Sequence, residues 1–113
     1  MNKRALGTRY ENITAEYFKQ QDVQILARNF RCRYGEIDLI VKDGEYLAFV
    51  EVKYRSTLKM GDPTESVTPL KQERIRTAAR YYLYQNRYGE DTPCRFDVIR
   101  ILGNEINWMK NVF

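Results

Sequence analysis

The chain has 113 residues, 43% hydrophobic and 30% charged, with a net charge of +4, which fits one folded domain over residues 1–113 and favours an acidic partner without naming it. Histidine is absent, so imidazole triads, histidine-ligated zinc and histidine general bases are excluded, and any catalysis falls to carboxylates, lysines, tyrosines or a carboxylate-bound ion, which suits Mg²⁺ or Mn²⁺. No apolar run approaches the ~18 residues of a membrane span, the start lacks the apolar segment of a secretory leader, and Cys32 and Cys94 stand far apart, which reads as reduced thiols in a cytoplasmic protein.

Tyr10, Ile13, Thr14, Tyr17 and Phe18 recur at helical spacing and predict a first helix over roughly 4–21. "VQILARNFR" reads as a strand over about 23–30. "GEIDLIVK" and "EYLAFVEVK" read as two more, joined by a hairpin with Asp43-Gly44 at its turn. "YRSTLKMGDPTESVT" is a long polar loop of the kind that is often functional or mobile. Thr68 is a good N-cap with Pro69 in the first helical position, and Ile75, Ala78, Ala79, Tyr82 and Leu83 give a second helix, roughly 69–87, its buried stripe. "CRFDVIRIL" and "EINWM" are the last two strands, joined by Gly103-Asn104. The order αβββαββ predicts an α/β fold, a mixed central sheet with helices packed on it.

The hairpin carries an unusual load of charge. With Asp43-Gly44 as the turn, Asp38 faces Phe49 and Glu36 faces Glu51, and Asp38 is a diagonal neighbour of Glu51. Alternation then sends Glu36, Asp38, Glu51 and Lys53 to one side of the sheet. Two carboxylates ~5 Å apart repel by about 3 kcal/mol at an effective dielectric of 20. A divalent cation bridging Asp38 and Glu51, with Lys53 beside it, would offset that repulsion. The competing reading is a solvated hairpin face on which Lys53 simply neutralises Glu51. Against it, "IDLIV" and "LAFVEV" read as buried on both faces.

"GTRYENITAEYF", "GEIDLI", "FVEVKYR", "VTPLKQ" and "CRFDVI", in this order over about residues 5–101, resemble the YraN-like family of small bacterial proteins. That family is placed in the PD-(D/E)XK nuclease superfamily and is similar to Holliday junction resolvases. The resemblance implies a restriction-endonuclease-like core and metal-dependent hydrolysis of DNA phosphodiesters, with branched or recombination and repair intermediates as the expected substrates. It makes Asp38, Glu51 and Lys53 the catalytic residues, although Ile37 stands where the superfamily's name has proline. Asp38, Glu51 and the backbone of Val52 would hold Mg²⁺ or Mn²⁺, with Glu36 as an additional ligand. Glu11 matches an acid on the first helix of related resolvases; its other reading is a capping box from Thr8.

Lys71 and Gln72, at the start of the second helix, suit phosphate binding. Arg74, Arg76 and Arg80 lie off the apolar stripe, and with Arg55 and Lys59 of the loop they could track a nucleic-acid backbone or form an ordinary solvated face. Tyr81, Tyr82, Tyr84 and Tyr88 could stack on unpaired bases, with Tyr82 better suited to the core. Asp97 reads as a strand acid bonded to an arginine or to backbone, without a catalytic part. The expected partner is therefore DNA with branched or single-stranded regions, and a symmetric junction would suit a homodimer. The alternative is a non-catalytic nucleic-acid-binding or repair-machinery interaction module on the same scaffold.

Overall fold

The computed structural model describes residues 2–113. Helix α1 spans Lys3–Gln20 and opens on Asn2, whose side chain accepts from the Ala5 amide at 2.8 Å. Strands β1 (Gln24–Cys32), β2 (Gly35–Asp43) and β3 (Tyr46–Arg55) follow. Helix α2 covers Pro69–Gln85, capped by Thr68 accepting from the Lys71 amide at 3.2 Å. Strands β4 (Cys94–Leu102) and β5 (Glu105–Met109) complete the chain. No helix is long and apolar enough to cross a membrane among the described residues.

The five strands form one sheet in the order β1-β2-β3-β4-β5. The β3–β4 pair, joined through α2, is parallel, and the other neighbours are antiparallel. Phe18 of α1 packs with Leu39, Val41, Val50 and Ile99 in one apolar cluster. Ile75, Ala78 and Tyr82 of α2 pack with Ile40, Leu47 and Phe49 in a second. The central strands are thus buried on both faces, which is why their sequences are almost continuously apolar. This is a mixed α/β architecture consistent with a restriction-endonuclease-like core.

Two local expectations are corrected. The hairpin turns on Gly44-Glu45, because Asp43 pairs with Tyr46. Gly44 takes the positive φ of 60° at the first turn position, where a two-residue hairpin readily accepts glycine. Asp43 stays in the strand, where its carboxylate accepts from Arg95 at 2.7 Å and Lys110 at 3.0 Å. Pairing moves by two residues relative to an Asp-Gly turn, so every side chain keeps its face. The second correction concerns Thr8. It lies inside α1 and donates to the Arg4 carbonyl at 3.1 Å, so it does not cap the helix and Glu11 is not part of a capping box.

The loop after β3 is more ordered than its composition suggests. It holds two short 3₁₀ turns, Leu58–Met60 and Pro63–Ser66. Asp62 caps the second, and its carboxylate takes three hydrogen bonds of 2.7–3.1 Å from Arg100 of β4.

A candidate active site between two parting strands

The β2–β3 ladder ends at Leu39↔Val50, whereas β3 continues along β4 to Arg55↔Leu102. Past the last β2–β3 pair, a side chain replaces the backbone partner: Asp38 Oδ2 accepts from the Val52 amide at 2.8 Å. Extending the register puts Asp38 across from Glu51, a closer approach than the diagonal expected from an Asp-Gly turn. A cavity of about 180 Å³ opens there. Its walls include Asp38 and Glu36 from β2, Glu51, Val52, Lys53 and Tyr54 from β3, Gly7 and Glu11 from α1, and Lys71 from α2.

Glu11 reaches this wall because α1 is held against β3 by a stack of Tyr10 on Tyr54, with ring centres 4.1 Å apart. Four acids and two lysines therefore line one small cavity in a chain of net positive charge. Burial, with the hydrogen bond and charge of Glu51 added, pushes the Asp38 carboxyl up to about 9, even though the Val52 amide pulls the other way. The acidic pair is short of positive charge.

Two lysines supply part of it. Lys71 Nζ lies 3.1 Å from Glu51 Oε2. Glu51 is only 5% exposed, and that oxygen has no directed hydrogen-bond partner, so the contact is ionic rather than a shaped bond. Burial and then the Lys71 side chain pull the Lys53 ammonium below its usual range. For Lys71 burial acts against the charge, but Lys53, Glu51 and Asp38 outweigh it and hold the ammonium above its usual range.

No group of three or more histidine, cysteine, aspartate or glutamate side chains is arranged to hold a metal among the described residues. The arrangement nevertheless fits an ion of the Mg²⁺ type, which takes one or two carboxylates and fills its shell with water and substrate phosphate. The buried Glu51 oxygen without a directed partner is the position such an ion would satisfy. Glu36 lies farther out, 63% exposed and paired with Arg31 at 3.2 Å. Val52 contributes its amide to Asp38.

The expected nucleic-acid contacts are dispersed. Lys71 belongs to the acid cluster itself, which sequence spacing did not reveal, although the Thr68-Pro69 start fixes it in the first turn of α2. Gln72 donates from its side chain to the Val67 carbonyl at 3.1 Å and so braces the loop. Arg74 is exposed beside Gly35. Arg76 points elsewhere, toward Glu73 at 3.7 Å and over the Phe113 ring. Arg55 sits at the end of β3 in a depression with Tyr10, Tyr54 and Thr57, its Nε buried without a partner, and Lys59 is exposed in the first 3₁₀ turn. Tyr82 is core, while Tyr81, Tyr84 and Tyr88 are exposed.

Asp97 is wholly buried and accepts from Arg95, from Trp108 Nε1 at 2.9 Å and from the Asn111 amide at 2.8 Å. It lies outside the cavity and ties β4 to the C-terminal segment. Trp108 also packs edge-on against Phe18, and Phe113 lies against Phe96, so both serve the sheet's own packing.

A family model described as "Uncharacterised protein family UPF0102" matches residues 10–101. The chain is 51% identical over its full length to a UPF0102 protein of Lachnoclostridium phytofermentans, covering 96% of that protein. It is 46% identical to one of Nitrosomonas eutropha over 95% of this chain and 91% of that one. A UPF0102 protein of Caldicellulosiruptor saccharolyticus is 41% identical, with both chains covered completely.

Proposed function

Because the chain belongs to the UPF0102 family, a membership that assigns no reaction, we propose its function from the site: a metal-dependent endonuclease that hydrolyses DNA phosphodiester bonds. The observation that carries this reading is the meeting of Asp38 and Glu51 where two strands part, with one buried Glu51 oxygen that meets Lys71 at 3.1 Å yet has no directed hydrogen-bond partner, and with Lys53 alongside. A structural ion pair alone would not need four acids around one opening.

In this reading Asp38 and Glu51 would hold Mg²⁺ or Mn²⁺, and Glu11 would add negative charge from the α1 side. A bound divalent ion supplies Lewis acidity toward water and phosphoryl oxygens. Lys53, whose ammonium is pulled below its usual range, is suited to shed its own proton to solvent and then, as the neutral amine, to take one from the attacking water at Nζ. Lys71 keeps its charge and offsets negative charge building on the phosphate. The Val52 amide fixes the Asp38 carboxylate, so the acid does not have to be ordered when substrate arrives.

The test is cleavage of four-way junction, flap, duplex and single-stranded DNA with Mg²⁺ or Mn²⁺. Cutting by the wild type that is lost in both Asp38→Asn and Lys53→Ala supports the reading. Cutting that survives in both variants places the activity elsewhere. Failure to cut any of these substrates favours a non-catalytic DNA-binding or interaction module.

A further inference from the structure

The acidic cavity is one end of a longer groove. Glu36 and Lys71 line both that cavity and a neighbouring depression walled by Thr68, Leu70 and Arg74. Gly35, Glu36 and Arg74 carry the depression on to a wider hollow, about 500 Å³, at the β1–β2 turn. That hollow is lined by Arg31, Arg33, Tyr34 and Arg74.

This end of the groove is cationic and aromatic. Arg33 and Arg74 have no acidic partner among the described residues, and the Arg31–Glu36 pair is too exposed to hold Arg31 firmly. Tyr34 is 42% exposed and Tyr81 38%. Their ring centres are 5.9 Å apart at 58°, with Phe30 beneath Tyr81. Arg33 lies over the Tyr34 ring, 5.2 Å from its centre.

The turn is held against α2 by a close backbone approach. A Cβ on Gly35, whose φ is 156°, would come within 3.4 Å of both the Cβ and the carbonyl oxygen of Arg74. Those distances are ordinary van der Waals contact, so it is the positive φ, which residues with a side chain rarely adopt, that suits glycine to the turn where it meets the helix along one groove.

We infer that the β1–β2 turn is the docking arm for an unpaired strand: one base stacks on the Tyr34–Tyr81 pair while Arg33 and Arg74 contact its flanking phosphates. Stacking on an aromatic ring requires an exposed base face, and a paired duplex hides its faces between neighbours. The arm therefore directs the site toward DNA that carries single-stranded flanks, such as a fork or flap, rather than blunt duplex. This rests on the endonuclease reading of the adjoining cavity, which it supplies with a substrate class.

The experiment measures fluorescence anisotropy of a labelled forked duplex with unpaired arms and of a blunt duplex, both in EDTA, so that binding is separated from hydrolysis. The wild type is expected to prefer the fork. Tyr34→Ala is expected to lower the fork-to-duplex affinity ratio about tenfold, as for one lost stack, and Tyr34→Phe to retain it. Arg33→Gln with Arg74→Gln, both at exposed positions, is a second variant expected to weaken fork binding. A ratio unchanged in Tyr34→Ala, or a wild type without fork preference, overturns the arm even if the protein cuts DNA. Fork binding that depends on Tyr34 in a protein that cuts nothing with Mg²⁺ upholds the arm and overturns the nuclease reading.

Discussion

Asp38 and Glu51 are adjacent acids that the sheet forces into one partly dry opening, and the proton on Asp38 records the conflict. A carboxyl raised from its ordinary range to about 9 holds a proton in the folded state that the unfolded chain loses above about pH 4. Stability therefore falls as pH rises from about 4 to about 9, and the full penalty is present above that window. Asp38→Asn is isosteric and cannot ionise, so in EDTA its melting temperature should exceed that of the wild type at pH 8, by less at pH 5. Mn²⁺ should raise the wild-type melting temperature by mass action and leave Asp38→Asn unmoved. Parallel pH profiles for the two proteins would show that Asp38 is not the strained group. The acid pair and Lys53 were legible in the sequence because alternation along a strand survives a two-residue change of register. The direct opposition of Asp38 to Glu51 was not. The Asp43-Gly44 dipeptide is a strong turn signal, and only the distant bonds of Asp43 to Arg95 and Lys110 show why that residue stays in the strand. Lys71 was legible as a cation near a helix start, but nothing local says that it crosses to Glu51.

The helices and strands were readable because each carries its own period, and α2 its Thr68 cap as well, and the structure keeps all seven of them within a few residues. The segment between β3 and α2 has neither period nor apolar stripe, and its order comes from far away. Asp62 closes the second 3₁₀ turn by accepting from Thr64, and the same carboxylate receives Arg100 in a two-pronged pair across the chain. The arginine holds the Asp62 carboxyl well below the usual carboxylate range, so the clamp should persist through mildly acidic conditions. This clamp fixes the approach to Thr68 and hence the first turn of α2, where Lys71 faces the acids. Asp62→Ala should leave the sheet amides protected while amides over residues 57–67 exchange several-fold faster, measured by hydrogen exchange. It should also weaken Mn²⁺ binding by letting the start of α2 wander. Unchanged exchange in this segment would mean that the 3₁₀ turns hold themselves.

The molecule combines a positive total charge with a local acidic gap, and the two pull on DNA in opposite directions. The sheet keeps its acids apart by role. Asp97 is buried in a satisfied network with Arg95, Trp108 and Asn111, whereas Asp38 and Glu51 face an opening with their charge incompletely matched. That difference was partly legible, because the arginine two positions before Asp97 offered it a partner on the same face of its strand. A phosphate drawn to the groove by Lys71 and Arg74 must approach Glu51 at short range unless a cation intervenes. Glu51→Gln removes one negative charge there and releases Lys71 from its ion pair. One unit charge at ~5 Å across water is worth about 0.8 kcal/mol, so Glu51→Gln should bind forked DNA about three- to fivefold tighter than the wild type in EDTA. Adding Ca²⁺ should tighten the wild type and largely spare the variant, which closes or reverses the gap. Anisotropy titrations at fixed ionic strength measure both effects, since added salt alone weakens every phosphate contact. If Glu51→Gln bound no tighter without metal, the phosphate would not be passing this acid, and the groove would have to run elsewhere on the surface.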